Sequence, residues 1–256
     1  MPGAGREGRM EELYLSGAVL ADPPEADSWL AGVPAVKYLL AHGSLSFHRR
    51  VTFLVGENGV GKSTLLEAVA VAAGFPAEGG SRNFSGTGRP DGSDLAGRLR
   101  LVRRGYPEDG FFLRAESFYD AAGYIDDHDE DHLLRNSYGG RSLLEQSHGE
   151  SFLSLVQNRF RGHGLYLLDE PEAALSPLRQ LTLMAEISRL AATSQLIIAT
   201  HSPMLIALPG ACVYEMSGAE IQERSYRDTA HYQLARAFLD SPERILRQLL
   251  DEDQEK

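Results

Sequence analysis

The sequence predicts an α/β fold in which a mostly parallel sheet is flanked by helices. Three observations carry that expectation. Four short apolar runs, at 51–55, 164–168, 195–199 and 211–216, have the length and flanking turn residues of buried strands. Helical patterns alternate with them, the order that crossovers between parallel strands require. The first run also passes through a glycine-rich loop straight into a helical stretch.

That loop, residues 56–64, reads Gly-Glu-Asn-Gly-Val-Gly-Lys-Ser-Thr, a full G-x-x-x-x-G-K-[ST] motif between the strand at 51–55 and the helix at 65–73. Gly56, Gly59 and Gly61 free the backbone to take positive φ. The N–H groups around Asn58 can then point inward at phosphates. Lys62 can reach the β- and γ-phosphates and Ser63 can ligate Mg²⁺, with Thr64 completing the motif. A nucleoside triphosphate, ATP with Mg²⁺, is the expected ligand. Lysine occurs only at 37, 62 and 256, arginine being used elsewhere. A compact ammonium at 62 suits a phosphate cradle.

Further along, residues 77–94 are rich in Gly, Ser, Arg and Asp and read as a mobile loop. Residues 111–117 form a strand that ends in polar groups. The run 126–132, Asp-Asp-His-Asp-Glu-Asp-His, reads as a solvated acidic loop, because no spacing fixes a coordination geometry. Residues 146–150, Gln-Ser-His-Gly-Glu, start a helix through Phe152, Leu153, Leu155 and Val156.

The strand at 164–168 runs into Asp169 and Glu170, the Walker B arrangement. Asp169 can hold Mg²⁺ through its water shell, and Glu170 can act as general base on the attacking water. A helix begins at Ser176-Pro177, with serine as N-cap and proline at the first helical position. Leu178, Leu181, Leu183, Met184, Ile187 and Leu190 are expected to pack on the sheet. The strand at 195–199 leads to His201 at its carboxyl edge, where open α/β sheets bind ligands. A neutral imidazole there can hydrogen-bond the γ-phosphate or the water. Cys212, the only cysteine, falls in the last strand and reads as core packing. Helices are expected at about 229–252.

A chain of 256 residues, 43% of them hydrophobic, can bury a full core, and a single domain over 1–256 is expected. No apolar stretch approaches the ~18 residues needed to span a bilayer, and residues 1–10 lack the apolar segment of a signal peptide. A cytoplasmic location without membrane insertion is expected. The net charge of −11 argues against a broad basic surface for coating nucleic acid. No heptad run is long enough for a coiled-coil arm.

Residues 56–64, 165–177 and 199–202 together resemble the ATP-binding cassette ATPases in their soluble SMC/RecF-like branch. They are most like the short stand-alone ATPases labelled AAA family. The resemblance covers about 48–216. It implies a P-loop ATPase head with a small helical signature subdomain, about 117–160. It also implies a homodimer that sandwiches ATP between one protomer's phosphate loop and the other's signature segment. Ser147 and Gly149 would be the signature residues, although His148 replaces the usual glycine between them. Glu116 would stand at the Q-loop position and could ligate Mg²⁺ or its water, while Ser176 replaces the usual D-loop aspartate. The resemblance implies Mg²⁺-dependent ATP hydrolysis that drives or gates a protein or nucleic-acid client. Two other readings stay open: a nucleotide-gated binding module in DNA maintenance or defence, and the motor subunit of a membrane transporter.

Overall fold

The fold is seen in a computed structural model that describes residues 13–81, 94–116, 148–173 and 175–251. The central sheet has six strands: β3 (Val51–Gly56), β5 (Asp109–Arg114), β6 (Gly164–Asp169), β7 (Gln195–Thr200), β8 (Cys212–Ser217) and β9 (Glu220–Glu223). Their order is β5-β6-β7-β3-β8-β9, parallel except for the β8–β9 hairpin. The predicted mostly parallel sheet is present, with an antiparallel edge.

The inner strands are apolar along their whole length because helices cover both faces. Side chains alternate between faces with period two. Leu54, Leu165, Leu167, Ile197 and Ala199 face one layer, where α2 (Pro34–His42) and α3 (Lys62–Ala73) pack. Phe53, Val55, Tyr166, Leu168, Leu196 and Ile198 face the other, where α4 (His148–Arg159) and α5 (Pro177–Leu190) pack. A four-residue helix, α1 (Trp29–Gly32), precedes α2.

A second sheet, antiparallel and three-stranded, was not anticipated. Its order is β2 (Ser44–Ser46), β1 (Leu15–Leu20), β4 (Leu99–Arg103). The buried carboxamide of Gln195 ties it to the start of β7. Its Oε1 accepts from the N–H groups of Tyr14 (2.9 Å) and Leu15 (2.8 Å), and its Nε2 donates to Leu15 O (2.7 Å).

Two sequence expectations need correction. On α5 only Leu183, Ile187 and Leu190 are buried, whereas Leu178 and Leu181 are exposed at 75% and 48%. At 3.6 residues per turn those two lie about 140–160° round the helix from Leu183, so they cannot share its face. Ser176 has extended N-cap geometry, but its side chain makes no capping bond. Of the loop expected at 77–94, Gly80 pairs with Phe112 on the edge of β5 through two backbone hydrogen bonds, 2.7 and 3.0 Å. The last described elements are α6 (Ala230–Asp240) and α7 (Pro242–Asp251). Among the described residues, no helix is long and apolar enough to cross a membrane.

Candidate nucleotide site at the carboxyl edge of the sheet

The carboxyl ends of β3, β7 and β6 lie side by side, with Val55 opposite Thr200 and Ala199 opposite Asp169. The glycine-rich loop leaves β3 at this edge and enters α3 at Lys62. Gly61 has φ +92°, and a Cβ there would come within 2.5 Å of Val33 Cγ1. A side chain would therefore be both strained and obstructed. Lys62 is buried beneath the loop, and its Nζ donates to the carbonyls of Gly56 (2.7 Å) and Glu57 (3.0 Å). Burial lowers its pKa, against the opposing pull of Glu170 and Asp169.

Ser63 Oγ donates to Asp169 Oδ1 at 2.9 Å, so the first turn of α3 meets the end of β6 across β7. Asp169 is 6% exposed. Burial pushes its carboxyl up to about 6, while the Ser63 bond and the Arg114 charge act the other way. Arg114, at the end of β5, holds Nε 3.8 Å from Asp169 Oδ2. Its Nη1 donates to Glu67 Oε2 (2.8 Å) and to Ala77 O (3.1 Å).

Beyond Asp169 the backbone turns through Glu170 at φ +50°, a left-handed conformation that costs a non-glycine residue on the order of 1 kcal/mol. The turn is held by the Glu170 N–H on Ala199 O (2.9 Å), and it leaves the carboxylate Oε1 3.4 Å from His201 Nε2. The backbone N–H of His201 donates to Glu172 Oε1 at 2.5 Å. Its ring Nδ1 lies 3.4 Å from Nε2 of His231, in the first turn of α6. Burial lowers the pKa of His231, which favours its neutral form.

Lys62, Ser63, Asp169, Glu170 and His201 are thus brought together. Gly56, Gly59 and Gly61 shape the loop, Asn58 is exposed on it, and Thr64 is half-buried in α3. Gly149 is buried in the first turn of α4. Ser147 and the acidic run 126–132 lie outside the described residues. Glu116 lies at the rim of the cluster: its side chain is 88% exposed and 3.7 Å from Arg114 Nη2. Sequence reasoning gave no part to Arg114, Glu172 or His231. The first two lie within motifs that it had noticed, whereas His231 carries no local signal.

The cluster fits Mg²⁺ and a phosphate chain. Ser63 Oγ and Asp169 Oδ1 are adjacent hard oxygen donors of the kind Mg²⁺ takes. Among the described residues, four buried polar atoms of this cluster lack a hydrogen-bond partner: Arg114 Nε and His201 Nε2, which face the carboxylates of Asp169 (3.8 Å) and Glu170 (3.4 Å), and Glu172 Oε2 and His231 Nδ1. A buried atom left wholly unpaired costs about 1–3 kcal/mol, a cost that a polar ligand or water can relieve.

The sequence profile of the family described as "AAA domain, putative AbiEii toxin, Type IV TA system" matches residues 51–126 and 125–207. No curated protein matches the sequence. Among solved structures, cbiO1 from Clostridium perfringens, part of the ABC transporter complex cbiONQ, is similar with a TM-score of 0.52 at 15% identity. That match covers 94% of this chain and 100% of that one. A nucleotide-free ATP-binding cassette from an ABC transporter gives 0.48 at 15% identity, covering 83% and 92%. A dimeric bacterial ABC transporter cassette gives 0.43 at 16%, covering 73% and 90%. At these identities the first likeness speaks for the fold alone. The profile spans more than half of the chain and contains both the phosphate loop and the Asp169-Glu170 strand end, so the chain belongs to this AAA-domain family and has an ABC-type P-loop ATPase fold.

Proposed function

We propose that the chain is an Mg²⁺-dependent ATPase that binds ATP on residues 56–64 and hydrolyses it in a sandwich homodimer, so as to drive or gate a client. The observation that carries this reading is the Ser63–Asp169 hydrogen bond, which joins the phosphate loop to the acidic strand end. When bound, Mg²⁺ supplies charge neutralisation at the β- and γ-phosphate oxygens. Ser63 and Asp169 would hold it, and Glu116, exposed beside Arg114, could ligate the ion or its water. Lys62 exchanges the carbonyls of Gly56 and Glu57 for phosphate oxygens. Glu170 takes the proton of the attacking water, and His201 orients that water, itself positioned by Glu172 and His231. Ser147 and Gly149 complete the site from the second protomer, where free N–H groups at a helix N-terminus meet the γ-phosphate. A cytoplasmic location, where ATP is supplied, is part of this reading.

A second reading, a nucleotide-gated binding module in defence, is favoured by two observations. The family description names a toxin of a type IV toxin–antitoxin system. In addition, α6 exposes Leu234 and Leu239 on the same helix whose His231 lies 3.4 Å from His201, and the following α7 exposes Leu249 and Leu250. A client on α6 would be coupled to the nucleotide site.

Mixing two variants tests the sandwich. Ser147→Arg keeps a sound phosphate loop and Lys62→Ala keeps a sound signature, so their heterodimer has one composite site with both halves intact. Neither variant alone should hydrolyse ATP, and the mixture should recover partial turnover. Normal hydrolysis and ATP-dependent dimerisation by Ser147→Arg alone would contradict the composite site.

A further inference from the structure

We propose that His48, Cys212 and Glu223 form a binding site for one borderline-soft divalent transition metal, zinc foremost, at the opposite end of β3 from the phosphate loop. Their candidate ligand atoms lie within 4.8 Å of one another, and His48 Nε2 is already 3.2 Å from Glu223 Oε1. Donors held about 2.0–2.3 Å from a tetrahedral zinc stand roughly 3.3–3.8 Å apart. One edge of the cluster is therefore at coordination spacing, and the others, within 4.8 Å, need at most about 1.5 Å of contraction. His48 and Glu223 can supply it, since their side chains are 43% and 52% exposed.

The sheet register explains why the three residues meet. Cys212 opens β8 opposite Thr52 of β3, and Glu223 closes β9 opposite Tyr214. Cys212 and Tyr214 are two apart and share a face, which puts Glu223 on the side of the thiol. His48 comes from the connection between β2 and β3.

The donor chemistry selects the metal class. One thiolate, one carboxylate and one neutral imidazole offset a 2+ charge, and sulfur with imidazole disfavours Mg²⁺ and Ca²⁺. Metal binding must displace the Cys212 thiol proton. Bound metal would join the β8–β9 edge to the β2–β3 connection, leaving the nucleotide site to Mg²⁺.

The test is a Co²⁺ titration of the whole, chelator-treated protein without nucleotide, followed by Zn²⁺ displacement. The chain has one cysteine, so a thiolate-to-cobalt charge-transfer band can come only from Cys212. The expected result is one equivalent of Co²⁺ with that band, lost on Zn²⁺ addition and absent in Cys212→Ser. His48→Ala and Glu223→Gln should each weaken Co²⁺ binding on the order of tenfold or more. A saturated protein without the thiolate band, or His48→Ala and Glu223→Gln variants that bind as wild type does, would overturn the site. If Cys212→Ser does not fold, X-ray absorption of the wild-type zinc form decides. One sulfur neighbour at about 2.3 Å supports the site, and a shell of only nitrogen and oxygen overturns it.

Discussion

Replacing Asp169 by Asn should stabilise the metal-free protein while it disables Mg²⁺ binding. The carboxyl is held at about 6 against an ordinary 3.8, chiefly by burial. At about 1.4 kcal/mol per pKa unit, the buried charge costs the folded state on the order of 3 kcal/mol. Because the folded pKa lies above the unfolded one, this cost is complete above about pH 6. It fades as pH falls through 6 and is gone below about 4. Asn can still accept from Ser63, and the lost attraction to Arg114 at 3.8 Å is already contained in that net figure, but its amide N–H groups face the guanidinium and take back about 1–2 kcal/mol. A net gain of about 1–2 kcal/mol at pH 8 remains, or roughly 3–6 °C in Tm for a domain of this size. Thermal melts with chelator at pH 8 and pH 5 measure it: the Asn variant should melt higher at pH 8, with the gap shrinking at pH 5. Adding Mg²⁺ and ATP should reverse the order, because only the wild type gains metal-dependent ligand stabilisation. An Asn variant that melts lower at pH 8, or a gap indifferent to pH, would refute the reasoning.

Two further outcomes concern residues around Asp169. Lys62→Ala should weaken ATP binding by about 10–100-fold or more, as charge-assisted hydrogen bonds are worth about 1.5–3 kcal/mol each. Unchanged affinity by calorimetry would remove Lys62 from the site. His231→Phe should lower kcat by up to about tenfold and leave KM unchanged, since His231 touches His201 and the loss of one hydrogen bond costs about 0.5–1.5 kcal/mol. A rise in KM with kcat intact would mean that α6 acts on nucleotide binding instead.

How much of this was legible in the sequence depended on how local each signal was. Strands β3, β6, β7 and β8 stood out because they are buried on both faces and read as continuous apolar runs. The phosphate loop was legible because its spacing is itself the geometry. The antiparallel sheet was not: β2 has three residues, and β4 reads Leu-Arg-Leu-Val-Arg with only Leu99 buried, so neither presents a run. Leu178 and Leu181 are as apolar as the core residues of α5, and only helical phase separates them from Leu183. In the candidate site, Arg114 and His231 become neighbours of Asp169 and His201 through the fold alone: β5 lies beside β6, and α6 returns to the end of β7 from thirty residues away. The left-handed turn at Glu170 left no sequence trace either, because glycine is the usual mark of that conformation.

In the proposed mechanism this cluster hydrolyses ATP with Glu170 as the base. The decisive measurement is steady-state phosphate release by Glu170→Gln under saturating Mg²⁺ and ATP, compared with wild type. Turnover should fall on the order of 10²-fold or more in a variant that still binds ATP and accumulates as an ATP-bound dimer. Turnover at the wild-type rate in Glu170→Gln would contradict it.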